Sequence, residues 1–253
     1  MSIDKQRIGQ SFARHYGEYD RTAVVQRRMA EQLAAALETA APQLRVMRAL
    51  EIGVGTGFLT RLLTERYPDA EWWFNDLSPA AFDWLPPGLA QVNTLAGDAE
   101  ALDYPVGLDL LASASALQWF EDLPAFFAKA RRVMRPGAIL AVATFGAGHF
   151  RELGALPGRA LRYPTAEALR GMVRAAGFTP LFCETRQETL LFESARALLA
   201  HLRSTGVNGA ATGSIRTPSQ LRAFEVDCRA AHPTANGSLP LSYEPLLLIA
   251  RAG

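Results

Sequence analysis

The sequence predicts an α/β protein built on a mostly parallel sheet with helices on both faces. Three observations carry that expectation. Strand-sized apolar segments alternate with amphipathic helical ones between residues 46 and 145, as repeated crossover connections require. The first strand runs directly into three glycines at alternate positions, Leu50-Glu51-Ile52-Gly53-Val54-Gly55-Thr56-Gly57. Acidic residues then recur where the next two strands end, at Asp76 and Asp98. Ligands of parallel sheets bind beyond the carboxyl ends of the strands, so the three signals converge on one place.

Taken in order, Ile8, Phe12 and Tyr16 lie at i, i+4 and i+8 on one face of a short helix, with Tyr19 off that face. Val25, Met29, Leu33 and Leu37 repeat the spacing in a second helix, which stops before Pro42. After the glycine turn, Phe58, Leu59, Leu62, Leu63 and Tyr67 return to helical spacing. Glu71 to Asp76 reads as a fully buried second strand, with Ser78-Pro79 as the cap and first residue of the next helix. Gln91 to Leu95 is the third strand, Leu108 to Ser113 the fourth and Ala138 to Phe145 the fifth. A helix from Asp122 to Met134, closed by Pro136-Gly137, separates the last two. Thr165 caps a further helix ending at Gly177, and Leu181 to Phe192 and Pro240 to Ala250 complete the strands. Helical stretches Ser194–Ser204 and Pro218–Ala231 lie between these two strands. The expected organisation is one domain: N-terminal helices over 1–42, core over 43–192, helical insertion over 193–239 lying over the site, and last strand over 240–253.

Composition narrows the function. A chain of 253 residues with 49% hydrophobic content buries a sizeable core. A formal net charge of +1 gives no case for nucleic acid or an anionic membrane as partner. Cys183 and Cys228 form neither a C-x-x-C pair nor a metal-ligand cluster, and His15, His149, His201 and His232 show no metal spacing. No metal is expected, and these histidines are assigned no chemistry. The charged start, Met1 to Arg7, lacks the apolar run of a signal peptide. Apolar runs are strand-sized, short of the ~20 residues that cross a bilayer. A soluble, cytoplasmic protein is expected.

The glycine turn carries the chemistry. Glycine accepts positive φ and lets the backbone approach a ligand, and the following helix start offers free N–H groups. The dinucleotide fingerprint G-x-G-x-x-G would place glycine at 58, where this chain has Phe58. The run from Glu51 to Gly57, E-x-G-x-G-x-G after a strand, resembles motif I of the class I S-adenosylmethionine (SAM)-dependent methyltransferases. That resemblance implies a Rossmann-like methyltransferase sheet with a C-terminal antiparallel strand. It implies SAM as cofactor, S-adenosylhomocysteine (SAH) as product, and a Glu51 that orders the loop and the ligand's amino-acid end. Asp76, 25 residues on, is placed to accept both hydroxyls of a ribose. Gly97-Asp98-Ala99 resembles motif III, where the acid meets the adenine amino group and the next N–H the ring. The resemblance assigns Leu77, Ser113 and Gln118 to the same cofactor site. Trp119, after the fourth strand, and Tyr19 are expected to wall the acceptor side, with Tyr16 in the core.

A narrower resemblance follows. Phe12 to Asp20 with Ala23-Val24-Val25-Gln26, Leu117 to Leu123, Thr144-Phe145-Gly146, Leu202 to Val207 and Leu241-Ser242-Tyr243 together resemble the malonyl-[acyl-carrier protein] O-methyltransferases of biotin synthesis. One departure is Ala114, where relatives often carry a polar residue. The resemblance implies methyl transfer to the free carboxylate of a malonyl thioester, with malonyl-acyl carrier protein as partner. A free small carboxylic acid is the alternative acceptor; a non-catalytic binding protein is a third reading, against which the intact Glu51, glycine turn, Asp76 and Asp98 argue. Between Lys129 and Arg174, nine basic residues (Lys129, Arg131, Arg132, Arg135, Arg151, Arg159, Arg162, Arg170, Arg174) face only Glu152 and Glu167, giving 9 − 2 = +7. Acyl carrier proteins are acidic, so the 129–174 stretch is a candidate docking face.

Overall fold

The computed structural model describes residues 5–153, 163–205 and 217–253. Two helices, α1 (Lys5–Thr22) and α2 (Val24–Ala40), precede β1 (Arg48–Ile52) and α3 (Phe58–Arg66). There follow β2 (Glu71–Asp76), β3 (Gln91–Ala96), β4 (Leu108–Ala114), α4 (Leu123–Val133) and β5 (Met134–Phe145). The chain continues through α5 (Ala166–Ala175), β6 (Phe178–Thr185), β7 (Glu188–Phe192), α6 (Ala195–Ser204), α7 (Pro218–Ala231), β8 (Leu239–Tyr243) and β9 (Pro245–Ala252).

Seven strands form the main sheet in the order β3-β2-β1-β4-β5-β9-β6. The pairs among β1 to β5 are parallel, and β9 runs antiparallel between β5 and β6. Strand order reverses beside β1, which opens the crevice where ligands of such sheets sit. Side chains alternate between two cores along each central strand. Ala49, Leu110, Ala112 and Ile139 face the core made with α2, α3 and α6. Leu50, Leu111, Leu140 and Val142 face the one made with α4 and α5. Glu51, between Leu50 and Ile52, therefore looks toward α1–α3, the face on which the site is built.

Helix ends follow their capping chemistry. Asp122, Thr165, Ser194 and Thr217 each accept a backbone N–H at the start of a helix, and Thr217 with Gln220 closes a full capping box. Four expectations need correction. Ser78 makes no side-chain cap; Asp76 Oδ1 accepts the Ser78 N–H instead, at 2.9 Å. β2 is not fully buried, because Glu71, Trp73 and Asp76 stay half-exposed. The long strands expected at the end each divide in two: β7 pairs only with β8 in a separate ribbon, and β6 and β9 join the main sheet. Pro136-Gly137 does not stop α4; the helix ends at Val133 and β5 passes through both residues, where its register with β4 shifts. A proline lacks the ladder donor, so it is tolerated at such an irregularity.

Candidate active site

The turn between β1 and α3 is held by backbone bonds and by the Asp76 carboxylate. Gly53, Gly55 and Gly57 have φ of 74°, 52° and 77°, all in the left-handed region. At Gly53 a side chain is excluded twice, by φ and by the Ala116 methyl that a Cβ would strike. Gly55 faces open space, so the turn leaves room for a ligand against bare backbone. Gly57 caps α3 and lies behind this surface.

Asp76 closes the turn from β2. Its Oδ2 accepts the Gly55 N–H at 2.9 Å, and its Oδ1 accepts from Ser78 N–H at 2.9 Å and more weakly from the Tyr16 hydroxyl at 3.4 Å. A carboxylate offers about four lone-pair sites, so acceptor capacity remains. Burial pushes its pKa up, while the N–H donors pull it back. Tyr16 is in the core, as expected, yet it also lines the cavity.

Glu51 is 1% exposed, and its Oε2 has no hydrogen-bond partner among the described residues. Burial pushes its pKa up to about 8, with Thr60 and Arg61 opposing and Asp76 reinforcing the shift. A buried acid with an open acceptor is costly unless a donor or cation completes it. Asp98 is engaged from above: Lys5 Nζ reaches both its oxygens, at 2.9 and 2.8 Å, and also Glu100. The first turn of α1 is thereby fixed over the end of β3.

These groups line one cavity of about 900 Å³, its open mouth included, roofed by α1. Tyr19, Trp119, Glu51, Gly53, Gly55, Asp76, Leu77, Asp98 and Ala99 are all on its wall. Three expected site residues are not. Gly57 is the helix cap already described. Ser113 is fully buried and its hydroxyl donates to Ile52 O at 2.9 Å, tying β4 to β1. Gln118 lines a second cavity of about 350 Å³, its Nε2 donating to Ser115 O at 2.7 Å and its Oε1 left open.

The two cavities share Phe12, Tyr19, Gln26, Ser115 and Trp119. Tyr19 stacks near Phe58 and meets Phe12 edge-on, and Phe12 in turn meets Trp119. Burial, with the Asp76 charge, pushes the Tyr19 hydroxyl upward, so it stays a neutral donor. Trp119 is 8% exposed, serving core and cavity together. His149, expected to carry no chemistry, lies in the second cavity with its ring 3.9 Å from Phe145 and 3.7 Å from Phe150. Ser115 (φ 58°) and Phe150 (φ 54°) are left-handed without being glycine, the sort of local strain that gathers at working sites. His149 had no pattern to announce it; Gln26 stood in the family resemblance without a site role, and it interrupts the apolar stripe of α2, which was the available signal.

Residues 49–137 match the methyltransferase-domain family model. Over nearly its whole length the chain is similar to a malonyl-[acyl-carrier protein] O-methyltransferase of Haemophilus influenzae, 34% identical and covering 99% of this chain and 95% of that one. A protein of the same name from Chlorobium phaeovibrioides is 35% identical, with 98% and 96% covered. The chain belongs to the malonyl-[acyl-carrier protein] O-methyltransferase family. Its fold matches more distant solved structures. The N-methyltransferase NodS from Bradyrhizobium japonicum, in complex with SAH, has a TM-score of 0.61 at 15% identity, covering 97% and 98% of the two chains. The YcgJ protein of Bacillus subtilis has a TM-score of 0.62 at 14% identity, with 88% and 98% covered. NodS holds SAH, the demethylated form of the methyl donor SAM, on the fold that this chain shares. The residues of this chain fit that cofactor: the open Glu51 oxygen, the bare face of Gly55 and an acid at each of two strand ends are complementary to a zwitterionic nucleoside. Among the described residues, no group of His, Cys, Asp and Glu could hold a metal. No described helix is long and apolar enough to cross a membrane.

Proposed function

We propose that this family member methylates the free carboxylate of malonyl-acyl carrier protein, the ester-forming step in biotin synthesis that the family resemblance implies. The observation that supports this most is the pair of adjoining cavities, one at the glycine turn with Glu51, Asp76 and Asp98 on its wall and one beyond it lined by Phe145, Phe150 and Tyr163. SAM, when bound, supplies an electrophilic methyl group on a sulfonium. Asp76 takes the ribose hydroxyls, Glu51 the α-ammonium and Asp98 with the Ala99 N–H the adenine, while Leu77 packs on the base. Tyr19 and Trp119 form the wall between that ligand and the acceptor. A carboxylate is ionised at neutral pH, its reference pKa being about 4, so no general base is needed. The residues must instead aim it and strip its water. Phe12, Phe145, Phe150 and Tyr163, around the second cavity, suit that dehydration.

Within 193–239, the described α6 fits the role of a cover for the acceptor side, and residues 206–216 lie outside the described ones. α6 packs on α1, and Thr205 at its end lines the second cavity. For the carrier protein, the 129–174 stretch divides by height in the fold. α4 runs back along the sheet, so Arg131, Arg132 and Arg135 lie at the amino ends of the strands, where Met134 pairs with Leu108. Several are also engaged: Lys129 with the carbonyls of Ala99, Glu100 and Leu102, Arg131 with Gly253 O, Arg135 with Asp109 at 3.1 Å and Arg170 with Cys183 O. Seven residues of β4 separate that end from the site, roughly 20 Å. Arg159 and Arg162 lie outside the described residues. Docking at the site end is therefore the better reading; Arg151, the described cation of the stretch there, pairs with Glu152 at 3.2 Å but keeps its side chain largely exposed. The deciding experiment is methyl transfer from labelled SAM, comparing malonyl-carrier protein with malonyl-CoA and free malonate; a preference for free malonate would overturn it.

A further inference from the structure

We propose that Gln26 holds the acceptor's carboxylate at the junction of the two cavities, donating to it through its side-chain amide. The inference rests on reading this chain as a carboxylate methyltransferase, and it adds a substrate contact which that reading does not assign.

Gln26 lies on the buried stripe of α2 with Ala30, Leu33 and Leu37, and is itself 6% exposed. That face packs an apolar core, where a leucine or methionine would cost nothing. A primary amide there must find partners or remain destabilising. Among the described residues, no hydrogen bond to another side chain or backbone group ties it down. It lines both cavities, a place it shares with four other described residues. Of those four, Phe12 is apolar, and the Ser115 hydroxyl points at Met29 Sδ, 3.7 Å away. Polar donors left for an acceptor at the junction are therefore the Gln26 amide, the Tyr19 hydroxyl and the Trp119 indole N–H.

All three donors are neutral. Among the described residues, the second cavity has no Lys or Arg on its wall, and Lys5 in the first is held by Asp98 and Glu100. A carboxylate gripped by a guanidinium is bound tightly but has its charge offset. One held by neutral N–H and O–H donors keeps its electron density on oxygen, which a nucleophile requires. The amide also offers a fixed, two-proton donor on a rigid helix, so it can aim one carboxylate oxygen while leaving the other free to react.

The test uses the full chain, with Gln26→Leu and Gln26→Glu, and three readouts. Gln26→Leu should keep or raise Tm, since it replaces a buried amide with an aliphatic group of similar size. Its SAH affinity should stay within about twofold, while kcat/KM for malonyl-carrier protein falls on the order of 10- to 100-fold, the loss expected of one hydrogen bond to a charged group. Gln26→Glu should lose more at pH 7.5, because it sets two carboxylates against each other. Its activity relative to wild type should recover as pH falls toward 5, where a protonated Glu again donates. A Gln26→Leu variant with wild-type kcat/KM per folded molecule, or a Gln26→Glu ratio that is flat with pH, overturns the proposal alone. Wild-type protein that binds SAH but methylates no malonyl thioester overturns the underlying reading, and this inference with it.

Discussion

Glu51 offers the sharpest quantitative prediction, because its burial sets a proton balance on ligand binding. With its pKa pushed up to about 8 by burial, about nine-tenths of the ligand-free protein carries a protonated Glu51 at pH 7. An α-ammonium beside Oε2 favours the ionised form and drives that pKa back down. Binding must then release close to one proton at pH 7. The affinity for SAH should tighten by roughly ninefold between pH 6 and pH 7, since (1 + 10²)/(1 + 10¹) is about 9 for a group that must ionise. Calorimetry in buffers of different ionisation enthalpy reads the proton directly. Glu51→Gln should abolish both the proton release and the pH slope. The stability sign is fixed by the same shift. A carboxyl whose folded pKa is raised from 4.5 to about 8 stabilises the fold below 4.5 and loses that contribution as pH rises through 8. The loss approaches about 1.4 kcal/mol per pH unit in that window. Ligand-free Glu51→Gln should therefore gain Tm on wild type as pH is raised from 5 to 8. A Kd that is flat from pH 6 to 7, with no buffer-dependent enthalpy, would refute the contact between Glu51 and the ammonium.

Asp76→Ala should weaken SAH binding by on the order of 10- to 100-fold and also lower Tm, because the carboxylate holds the Gly55 and Ser78 N–H groups; unchanged affinity by calorimetry would remove Asp76 from the ribose. Tyr19→Phe keeps the ring contacts with Phe12 and Phe58, so turnover should fall while Tm and SAH affinity hold. A lower Tm with normal turnover per folded molecule would mark the hydroxyl as structural. Reversing Arg132 and Arg174 to Glu should leave KM for the carrier protein unmoved, whereas Arg151→Gln should raise it and flatten its salt dependence; the opposite pattern would move the docking face to the amino ends of the strands.

The core of the fold was legible because its signals are local and strong. Glycines at 53, 55 and 57 between an apolar strand and a helical repeat admit few backbones, and the capping residues Asp122, Thr165, Ser194 and Thr217 all sit at or beside the expected helix starts. Tertiary choices were harder. Nothing in Leu181 to Phe192 marks the break at 186–187, because both halves are strand-like. What separates them is the partner each finds, β9 for one and β8 for the other. Likewise Met134 to Gly137 reads as a helix stop, yet pairing with Leu108 recruits it into β5.

Among residues that line the cavities, those at strand ends and Tyr19 on α1 were expected there, whereas Gln26 on α2 and His149 were not. Glu51, Asp76 and Asp98 announce themselves because a charge beside the end of an apolar strand resists the core and is drawn to the ligand crevice. Gln26 and His149 sit among apolar neighbours, and only packing shows which way they point. Ser113 is the converse case: it lies at a strand end, but its side chain turns inward to Ile52 O and off the cavity wall. The basic stretch teaches the same lesson about direction. Of the described charges from Lys129 to Arg174, those on α4 and α5 follow helices that run opposite to the strands, Arg135 opens β5 and Arg151 follows its far end, so neighbours in sequence sit at opposite ends of the sheet. Charge counted along the chain measures a field only where the chain stays on one face. Here it does not, and docking at the acceptor cavity, as proposed, would bring a carrier protein to α1, Arg151 and the end of α6 before Arg131, Arg132 or Arg135.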